Sequence, residues 1–372
     1  MAGNQKALYL QSKQGSFEIV ENVDIPKPGA GQLLVRIQAS GLNPVDWKIQ
    51  KYGAWIENYP AILGSDIAGV VEALGDDVSG FATGDRVQVL LTTRRDHIEL
   101  TKLRRFFQGG WTNETSGFQQ YTLANHKLVS KIPANITTDE AATIPVAIAA
   151  AAVGLYLSKP YGAGLTAPLD SESLGKDAGK PIVIIGGATS VGQCVIQLAK
   201  LSRFFPIIVT ASLKHEEYLK SLGATHVLDR NLSTSALAGE IGKITAAPIA
   251  VVYDSVSLPG TQQTGYDLLA QGGVLALVLE RAPEVKLVEG KDVISAFGFF
   301  NQPHSRDLGF KLYASLEQLL AQGTLKGLTD WDQPNRLEVV PGGLDGVVSG
   351  LQRLQNDQVS GVKLVVHPQE TA

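Results

Sequence analysis

The segment 186–192, "GGATSVG", has the residue types and spacing of a loop that binds a phosphate group. It follows a short apolar run, residues 182–185, and precedes a stretch whose apolar residues recur at the spacing of one helix face. Glycines in such a turn let strand and helix pack closely, and the helix start offers free N–H groups to a pyrophosphate. We therefore predict dinucleotide binding, with a plain strand–helix turn as the alternative. The predicted contacts are Gly187, Ala188, Thr189, Ser190 and Val191.

The next strand predicts which dinucleotide is bound. Enzymes that use NAD usually carry an acidic residue at its end, where it binds the ribose 2′-hydroxyl. Here the strand ends "VTASLKHEEY", with Ser212, Lys214 and His215 after it. A hydroxyl and an ammonium would bind a 2′-phosphate, and Arg230 after the third strand could add charge or stack on adenine. These residues predict NADPH as the cofactor; the alternative is that they are ordinary solvated loop residues.

Metal chemistry is not indicated by the residues. A catalytic zinc needs three protein ligands, usually Cys, His and Glu. The chain has a single cysteine, Cys194, and six scattered histidines without ligand spacing. We predict a protein without a metal site. One cysteine also excludes an internal disulfide and favours the cytosol.

The elements that must position these residues fall into two kinds. The first ~130 residues contain short runs with Gly/Pro turns, such as the alternating "LLVRIQA" (33–39), and predict a β-barrel or sandwich. Residues 181–300 alternate strands with helices, which is typical of a parallel sheet. Between them, residues 137–157 predict one alanine-rich helix with Thr138 as its N-cap. The tail returns to a helix over 310–323 and then to short strands.

Length and composition limit the classes of function. The chain has 372 residues, enough for two domains, with 44% hydrophobic and 18% charged residues. A net charge of −4 gives no general attraction to nucleic acid or to an anionic membrane. The first residues lack a signal-peptide pattern, and no uninterrupted apolar run reaches the ~18 residues of a membrane span.

Several motifs together resemble a known family. They are "GLNPVDWKIQKYG", "PAILGSDIAGVVEALGDDVSGFATGDRV", "GGATSVGQCVIQLAK", "SLGATHVLD" and "SGVKLVV". In this order they resemble the zinc-free medium-chain dehydrogenase/reductase superfamily, in its quinone-oxidoreductase-like and trans-acting enoyl-reductase branch. The resemblance implies an α/β protein in which a GroES-like β-barrel catalytic domain (1–150 and 310–372) carries an inserted Rossmann doubly wound parallel sheet (151–309). The active site would lie between the two domains.

The resemblance also bears on the chemistry. Zinc-dependent relatives have a Cys where Asn43 stands and a His-Glu pair where Ser65 and Asp66 stand. Without zinc there is no Lewis acid for an alkoxide, whereas a conjugated C=C bond can still be reduced by hydride transfer, since the enolate needs only hydrogen-bond donors. We expect an NADPH-dependent reductase of an enoyl thioester, enone or alkenal. A quinone oxidoreductase, a carbonyl reductase or a non-catalytic cofactor-binding protein remain as alternatives.

The site residues implied by the resemblance come from four segments. Lys48 would reach the nicotinamide ribose, and Tyr52 is a candidate proton donor because some relatives have a tyrosine nearby. An alternative interpretation of Asp46 is that it fixes the local loop through hydrogen bonds to the backbone. Phe297 and Gly298 match a segment that meets the nicotinamide and the substrate in relatives. The remaining cofactor contacts implied by the resemblance are Val45, Asp46, Trp47, Leu279, Glu280, Lys363 and Val365.

One basic segment is specific to this chain. Residues 92–117, "TTRRDHIELTKLRRFFQGGWTNETSG", carry several Arg and Lys residues beside aromatic ones. It is either a solvated excursion, or a substrate lid or a dock for a carrier-protein-bound acyl chain. The sequence leaves both a monomer and a homodimer open.

Overall fold

The computed structural model describes residues 3–90, 112–170, 172–327 and 337–372. Within these ranges the strands are β1 (Asn4–Leu10), β2 (Phe17–Asp24), β3 (Gln32–Gly41), β4 (Ala61–Ile62), β5 (Asp66–Leu74), β6 (Arg86–Leu90), β7 (Tyr121–Asn125), β8 (Val129–Lys131), β9 (Ile182–Ile185), β10 (Ile207–Ala211), β11 (His226–Asp229), β12 (Val251–Asp254), β13 (Val274–Leu277), β14 (Asp292–Ser295), β15 (Leu337–Val339) and β16 (Lys363–Val366). The helices are α1 (Pro44–Tyr52), α2 (Thr138–Ala141), α3 (Pro145–Tyr156), α4 (Ser190–Leu201), α5 (Glu216–Leu222), α6 (Thr234–Ile244), α7 (Pro259–Leu268), α8 (Pro303–Ala321) and α9 (Asp345–Gln355).

The first and last parts of the chain build one β region. A sheet of order β15-β16-β3-β5-β6-β8, with β7 paired to β3, lies beside a smaller sheet of order β2-β1-β4. Alternate residues of its strands, including Val35, Ile37, Ile67, Val87 and Val89, form a buried cluster. β16 pairs antiparallel with β3, so the C-terminal strand completes the region begun at the N-terminus. The predicted boundaries at 150/151 and 309/310 remain predictions.

The middle of the chain forms a parallel sheet of order β11-β10-β9-β12-β13-β14. Its central strands are buried along their length, as expected when helices cover both faces. The strand order reverses beside β9, which places a ligand crevice at the carboxyl ends of β9 and β12. The predicted fold class, an α/β protein with a GroES-like barrel and a Rossmann sheet, is confirmed.

The predicted single helix over 137–157 is wrong in detail. The structure has two helices, because Pro145 cannot continue the first and instead begins α3. The N-cap of α2 is Thr137 rather than Thr138, and its side chain accepts the N–H of Glu140. By length and composition alone, Thr138–Tyr156 could cross a bilayer, but 78% of its apolar window is buried inside the protein, as in a core helix.

The ends of two later strands decide where predicted site residues lie. β13 ends at Leu277, so Leu279 and Glu280 lie in the loop after it. β14 begins at Asp292 and ends at Ser295, so Phe297 and Gly298 also follow a strand. α8 begins at Pro303, seven residues before the predicted start, because Pro is favoured in the first turn of a helix.

Candidate cofactor site and active site

The turn of residues 186–192, here named the glycine cradle, joins β9 to α4 at the carboxyl end of the parallel sheet. Gly186 has a φ of 80°, a conformation that favours glycine. A Cβ on Gly187 would lie 2.0 Å from Cγ1 of Val209, and one on Gly192 would lie 2.4 Å from the carbonyl oxygen of Gly186. The close packing of the turn against β10 and α4 therefore depends on glycine at these positions.

The start of α4 is organised for an anion. Thr189 is the N-cap, and its Oγ1 accepts the N–H of Gly192 at 2.9 Å. The Thr189 hydroxyl also donates to Oγ of Ser255 at 3.0 Å, and Ser255 donates to the carbonyl oxygens that end β9. Among the described residues, the N–H groups of Ser190 and Val191 have no acceptor. Two free N–H groups at a helix N-terminus fit a pyrophosphate.

The residues predicted to select the cofactor are grouped at the ends of β10 and β11. The backbone N–H of Arg230 donates to the carbonyl oxygen of Ala211 at 3.0 Å, which holds the two strand ends together. Lys214 is exposed and Ser212 is half-buried, whereas His215 is only 1% exposed, and within the described ranges neither of its ring nitrogens has a hydrogen-bond partner. Burial lowers the pKa of His215, and the charges of Lys214 and Arg230 lower it further. His215 is therefore neutral at pH 7, and Lys214 and Arg230 supply the positive charge.

The segment predicted to meet the nicotinamide lies against α3. A Cβ on Gly298 would be 2.7 Å from the backbone nitrogen of Ala150, so backbone packs directly on backbone here. Phe297 is half-buried beside it. Leu279 is half-buried and Glu280 is exposed, and the Glu280 carbonyl accepts a hydrogen bond from Gln262. The contacts of these residues with a cofactor remain predictions.

Helix α1 carries most of the predicted N-terminal contacts. Nζ of Lys48 lies 5.6 Å from the ring centre of Trp47, and burial lowers the pKa of this lysine. Val45 is half-buried beside the apolar cluster of the β region. Tyr52, the candidate proton donor, is 57% exposed and packs on Trp47 at 6.0 Å between ring centres. Its proposed catalytic role remains a prediction.

A buried set of four polar side chains, here named the polar cluster, joins distant parts of the β region. It consists of Asn43, Asp46, Asp66 and Lys363, each no more than 6% exposed. Nζ of Lys363 lies 2.6 Å from both Oδ2 of Asp66 and Oδ1 of Asn43. The Asn43 amide donates to Asp66 at 2.9 Å, and its backbone N–H donates to Asp46 at 2.8 Å. Oδ1 of Asp66 accepts the N–H of Val146 at 2.6 Å.

The polar cluster contains two carboxylates but one ammonium. Lys363 neutralises Asp66, whereas Oδ1 of Asp46 has no hydrogen-bond partner in the part of the chain that the structure describes. Burial raises the pKa of Asp46 to about 7; the N–H of Asn43 and the charge of Lys363 oppose this, while the charge of Asp66 adds to it. Asp46 is therefore protonated in a large fraction of molecules at neutral pH.

Three residues predicted to contact the cofactor are buried in the β region, and their contacts with a cofactor remain predictions. Asp46 is fully buried, and Lys363 is held by Asp66 and Asn43. Val365 is fully buried in β16, where its carbonyl oxygen accepts the N–H of Val340. The other reading of Asp46, in which it fixes the local loop, agrees with its hydrogen bond to Asn43.

The donor set does not fit a metal ion. Asn43, Ser65 and Asp66 stand where zinc-dependent relatives have ligands, and the Lys363 ammonium already lies between Asn43 and Asp66. Among the described residues there is no group of three or more His, Cys, Asp or Glu that could hold a metal. Cys194 is buried, and burial raises the pKa of its thiol to about 12, which suits packing rather than ligation.

Two residues that organise the site were missed by sequence reasoning. Ser255 ties the glycine cradle to the end of β12, and a polar residue directly after a buried strand was the available signal. Asp66 had been considered only as the counterpart of a metal ligand. Nothing in its local sequence indicates pairing with Lys363, because the two residues are 297 positions apart.

Comparisons with known proteins place these features in a family. Residues 29–134 match the family described as "Alcohol dehydrogenase GroES-like domain", and residues 190–286 match "Zinc-binding dehydrogenase". The chain is 32% identical to "Trans-enoyl reductase resD" of Aspergillus sclerotiorum, over 96% of this chain and 98% of the relative. It is 28% identical to "Trans-enoyl reductase RAP2" of Pyricularia oryzae, over 96% of each.

The chain belongs to the enoyl-reductase branch of the medium-chain dehydrogenase/reductase superfamily. A solved alcohol dehydrogenase superfamily protein from Novosphingobium aromaticivorans has the same fold, with a TM-score of 0.74 and 23% identity over 98% of this chain and 99% of that one. As a member of this superfamily, the chain is an oxidoreductase that works with a nicotinamide cofactor. The family resemblance inferred from the sequence is thereby confirmed.

Proposed function

We propose that this protein is an NADPH-dependent reductase of C=C bonds conjugated to a carbonyl, with an enoyl thioester as its preferred substrate. The observation that carries the proposal is the match along nearly the whole chain to relatives named as trans-enoyl reductases. An enoyl group is a C=C bond conjugated to an acyl carbonyl. A carrier protein is one source of such a thioester, and the cytosol is the compartment we propose.

The choice of NADPH is supported by the ends of β10 and β11. Lys214 is exposed, and Arg230 is held beside Ser212 by the link between the two strand ends. No acidic side chain stands at positions 211–215, where one would repel a 2′-phosphate. The glycine cradle and the N–H groups of Ser190 and Val191 would bind the pyrophosphate.

When bound, a dihydronicotinamide would supply a hydride for the β carbon of the alkene, and a proton from a side chain or water would complete the α carbon. The role of the protein would be to bind and orient the two reactants. Lys48, with its pKa lowered by burial, is our candidate for binding near the nicotinamide ribose. The polar cluster supports a metal-independent reaction, since the Lys363 ammonium pairs with Asn43 and Asp66, two positions at which the resemblance implies ligands in zinc-dependent relatives.

The substrate class is tested by following NADPH oxidation with a panel of one enoyl thioester, one enone, one alkenal and one quinone. We expect turnover with the conjugated alkenes, saturated products by mass spectrometry, and the largest kcat/KM for the thioester. Turnover with the quinone alone would favour the quinone-oxidoreductase alternative. Turnover that is lost on dialysis against a chelator and regained with zinc would contradict the metal-independent proposal.

The cofactor proposal is tested with Lys214→Ala. Loss of one charge-assisted contact costs about 1.5–3 kcal/mol, so we expect the Kd for NADPH to rise about 10- to 100-fold while the Kd for NADH stays unchanged. Nicotinamide fluorescence measures both constants. Lys220→Ala is the matched control, because Lys220 lies on the neighbouring helix α5 and pairs with Glu216 at 2.7 Å. Equal changes for both cofactors in Lys214→Ala would refute selection by the 2′-phosphate.

A further inference from the structure

Asp66 is the residue through which the polar cluster reaches beyond the β region. Its carboxylate is fully buried and uses both oxygens. Oδ2 accepts from Asn43 and Lys363, while Oδ1 accepts the N–H of Val146 at 2.6 Å. Val146 is in the first turn of α3, so a negative charge stands at the positive end of that helix. The start of α3 is therefore attached to the β region by a charged hydrogen bond.

Helix α3 extends from this attachment to the parallel sheet. It packs along α4, the helix that begins at the glycine cradle. The Tyr253 hydroxyl of β12 donates to the Ala150 carbonyl at 2.8 Å. Gly298, in the segment predicted to meet the nicotinamide, packs directly on the backbone of Ala150. Helix α3 thus connects Asp66 to two segments that we expect to hold the cofactor. They are the glycine cradle, reached through α4, and the segment of Phe297 and Gly298.

The other two side-chain partners of Asp66 belong to the β region itself. Asn43 is the N-cap of α1, the helix that carries Lys48. Lys363 begins β16, which pairs with β3 and anchors the C-terminal strand. A single carboxylate thus fixes the starts of α1 and α3 and the final strand relative to one another. A displacement of the Asp66 carboxylate would therefore move the start of α1 through Asn43, and Gly298 through α3.

We propose that Asp66 is a positioning residue for hydride transfer: through the N–H of Val146 it sets how the β region sits against the nicotinamide segment. The proposal rests on the proposed function, because it presupposes hydride transfer between the two regions. Such a transfer requires the reacting atoms to approach within about 3–3.5 Å, and a misplacement of about 1 Å can lower the rate about 100-fold. Asp66 itself touches neither reactant in this scheme.

The test is the single-turnover rate of hydride transfer in Asp66→Asn, measured by stopped flow with saturating NADPH and enoyl thioester. We expect the rate constant to fall at least ten-fold, while the Kd for NADPH changes less than three-fold. With cofactor deuterated at both C4 positions, the slowed phase should keep a primary isotope effect, which identifies it as hydride transfer. A merely structural role would lower the amplitude of the phase and leave its rate constant unchanged.

Asp177→Asn is the matched control for Asp66→Asn. Asp177 is also a buried carboxylate, with a lysine partner, Lys180, at 2.7 Å and a backbone N–H partner, Thr166, at 3.2 Å. It lies in the loop before β9, and its carboxylate is hydrogen-bonded to Thr166 and Lys180 of that same loop, so the rate constant of Asp177→Asn should match the wild type. A rate constant for Asp66→Asn within two-fold of the wild type would overturn the proposal.

A second variant covers the case in which Asp66→Asn does not fold. The double variant Asp66→Ala/Lys363→Met removes the bond to Val146 together with both charges of the Asp66–Lys363 pair, and exchanges of buried ion pairs for apolar residues are often tolerated. We expect it to bind NADPH but to transfer hydride at least ten-fold more slowly, and a wild-type rate constant would overturn the proposal. Absence of hydride transfer in the wild type with every alkene would instead refute the proposed function.

Discussion

The glycine cradle and the polar cluster hold their surroundings by different means. The glycine cradle is one contiguous stretch of seven residues whose backbone N–H groups and missing side chains do the work. The polar cluster draws on side chains as far as 320 positions apart, and its charges must balance inside the protein. In the glycine cradle, substitutions are limited by the space available for a side chain. In the polar cluster, they are limited by the balance of buried charges. Substitutions can therefore be chosen to disturb one property at a time.

The largest expected effect is that of Gly192→Ala in the glycine cradle. The new Cβ would lie 2.4 Å from the carbonyl oxygen of Gly186 and 2.8 Å from Cα of Gly187, and backbone cannot move aside as a side chain can. We expect cofactor binding to be lost, as measured by nicotinamide fluorescence. The control is Gly239→Ala on exposed α6, where a Cβ meets nothing within 4 Å and should stabilise the protein by about 0.5–1 kcal/mol. Retained binding in Gly192→Ala would show that the turn can relax.

The next largest effect is expected on the stability of Asp46→Asn in the polar cluster. This substitution removes the negative charge of the side chain and hardly changes its shape. Burial raises the pKa of Asp46 from 3.8 to about 7, so the folded protein holds this proton more tightly than the unfolded chain. The wild type should therefore lose stability as the pH rises from about 4 to 7, by on the order of 3–4 kcal/mol. The neutral variant lacks this loss.

Urea unfolding at pH 5 and pH 8 measures the effect of Asp46→Asn. We expect the variant to be more stable than the wild type at pH 8, with a much smaller difference at pH 5. Comparison at each pH removes the contribution of all other titrating groups. The same difference at both values would mean that Asp46 stays ionised, and the charge balance described for the polar cluster would be wrong.

The smallest effect on stability is expected at His367, which pairs with two carboxylates but is partly exposed. Nε2 of His367 lies 2.9 Å from Asp139, and Nδ1 lies 2.9 Å from Glu370. Partial burial lowers the pKa of His367, but the hydrogen bonds and charges of Glu370 and Asp139 outweigh it, so the pKa is raised. This stabilisation is complete below the unfolded pKa of about 6.5 and is lost as the pH rises through the higher folded pKa.

His367→Gln tests this arrangement. We expect a loss of about 1 kcal/mol or less at pH 5.5 and a smaller loss at pH 8.5, since partly exposed ion pairs contribute little. Urea unfolding of both proteins at the two pH values gives the difference. A loss that grows with pH would contradict a protonated His367 between two carboxylates.

The contrast between the two regions also explains what the sequence could predict. The glycine cradle depends on residues close in the chain, so its spacing after a buried strand was enough to identify it. The parallel sheet followed from the alternation of strands and helices for the same reason. The break between α2 and α3 was also local, and the effect of Pro145 was underestimated.

The polar cluster could not be predicted from neighbouring residues. Lys363 is an ordinary lysine at the start of a strand until β16 pairs with β3 and brings it to Asp66. The same limit applies to Tyr52, whose exposure depends on how α1 packs, and to His215, which the sequence predicts as a cofactor contact but which is buried. Residues 92–111, most of the segment predicted as a lid or dock, lie outside the described residues, and that hypothesis is open.

The order of synthesis gives the Asp66–Lys363 pair a consequence for folding in the cell. Asp66 leaves the ribosome long before Lys363, because 297 positions separate them. During that interval the β region has no cation for its buried carboxylate, and an unpaired buried charge is costly. The parallel sheet needs no residue from the last strand and can form first. The charge balance of the β region is therefore complete only after β16 has been synthesised and has paired with β3.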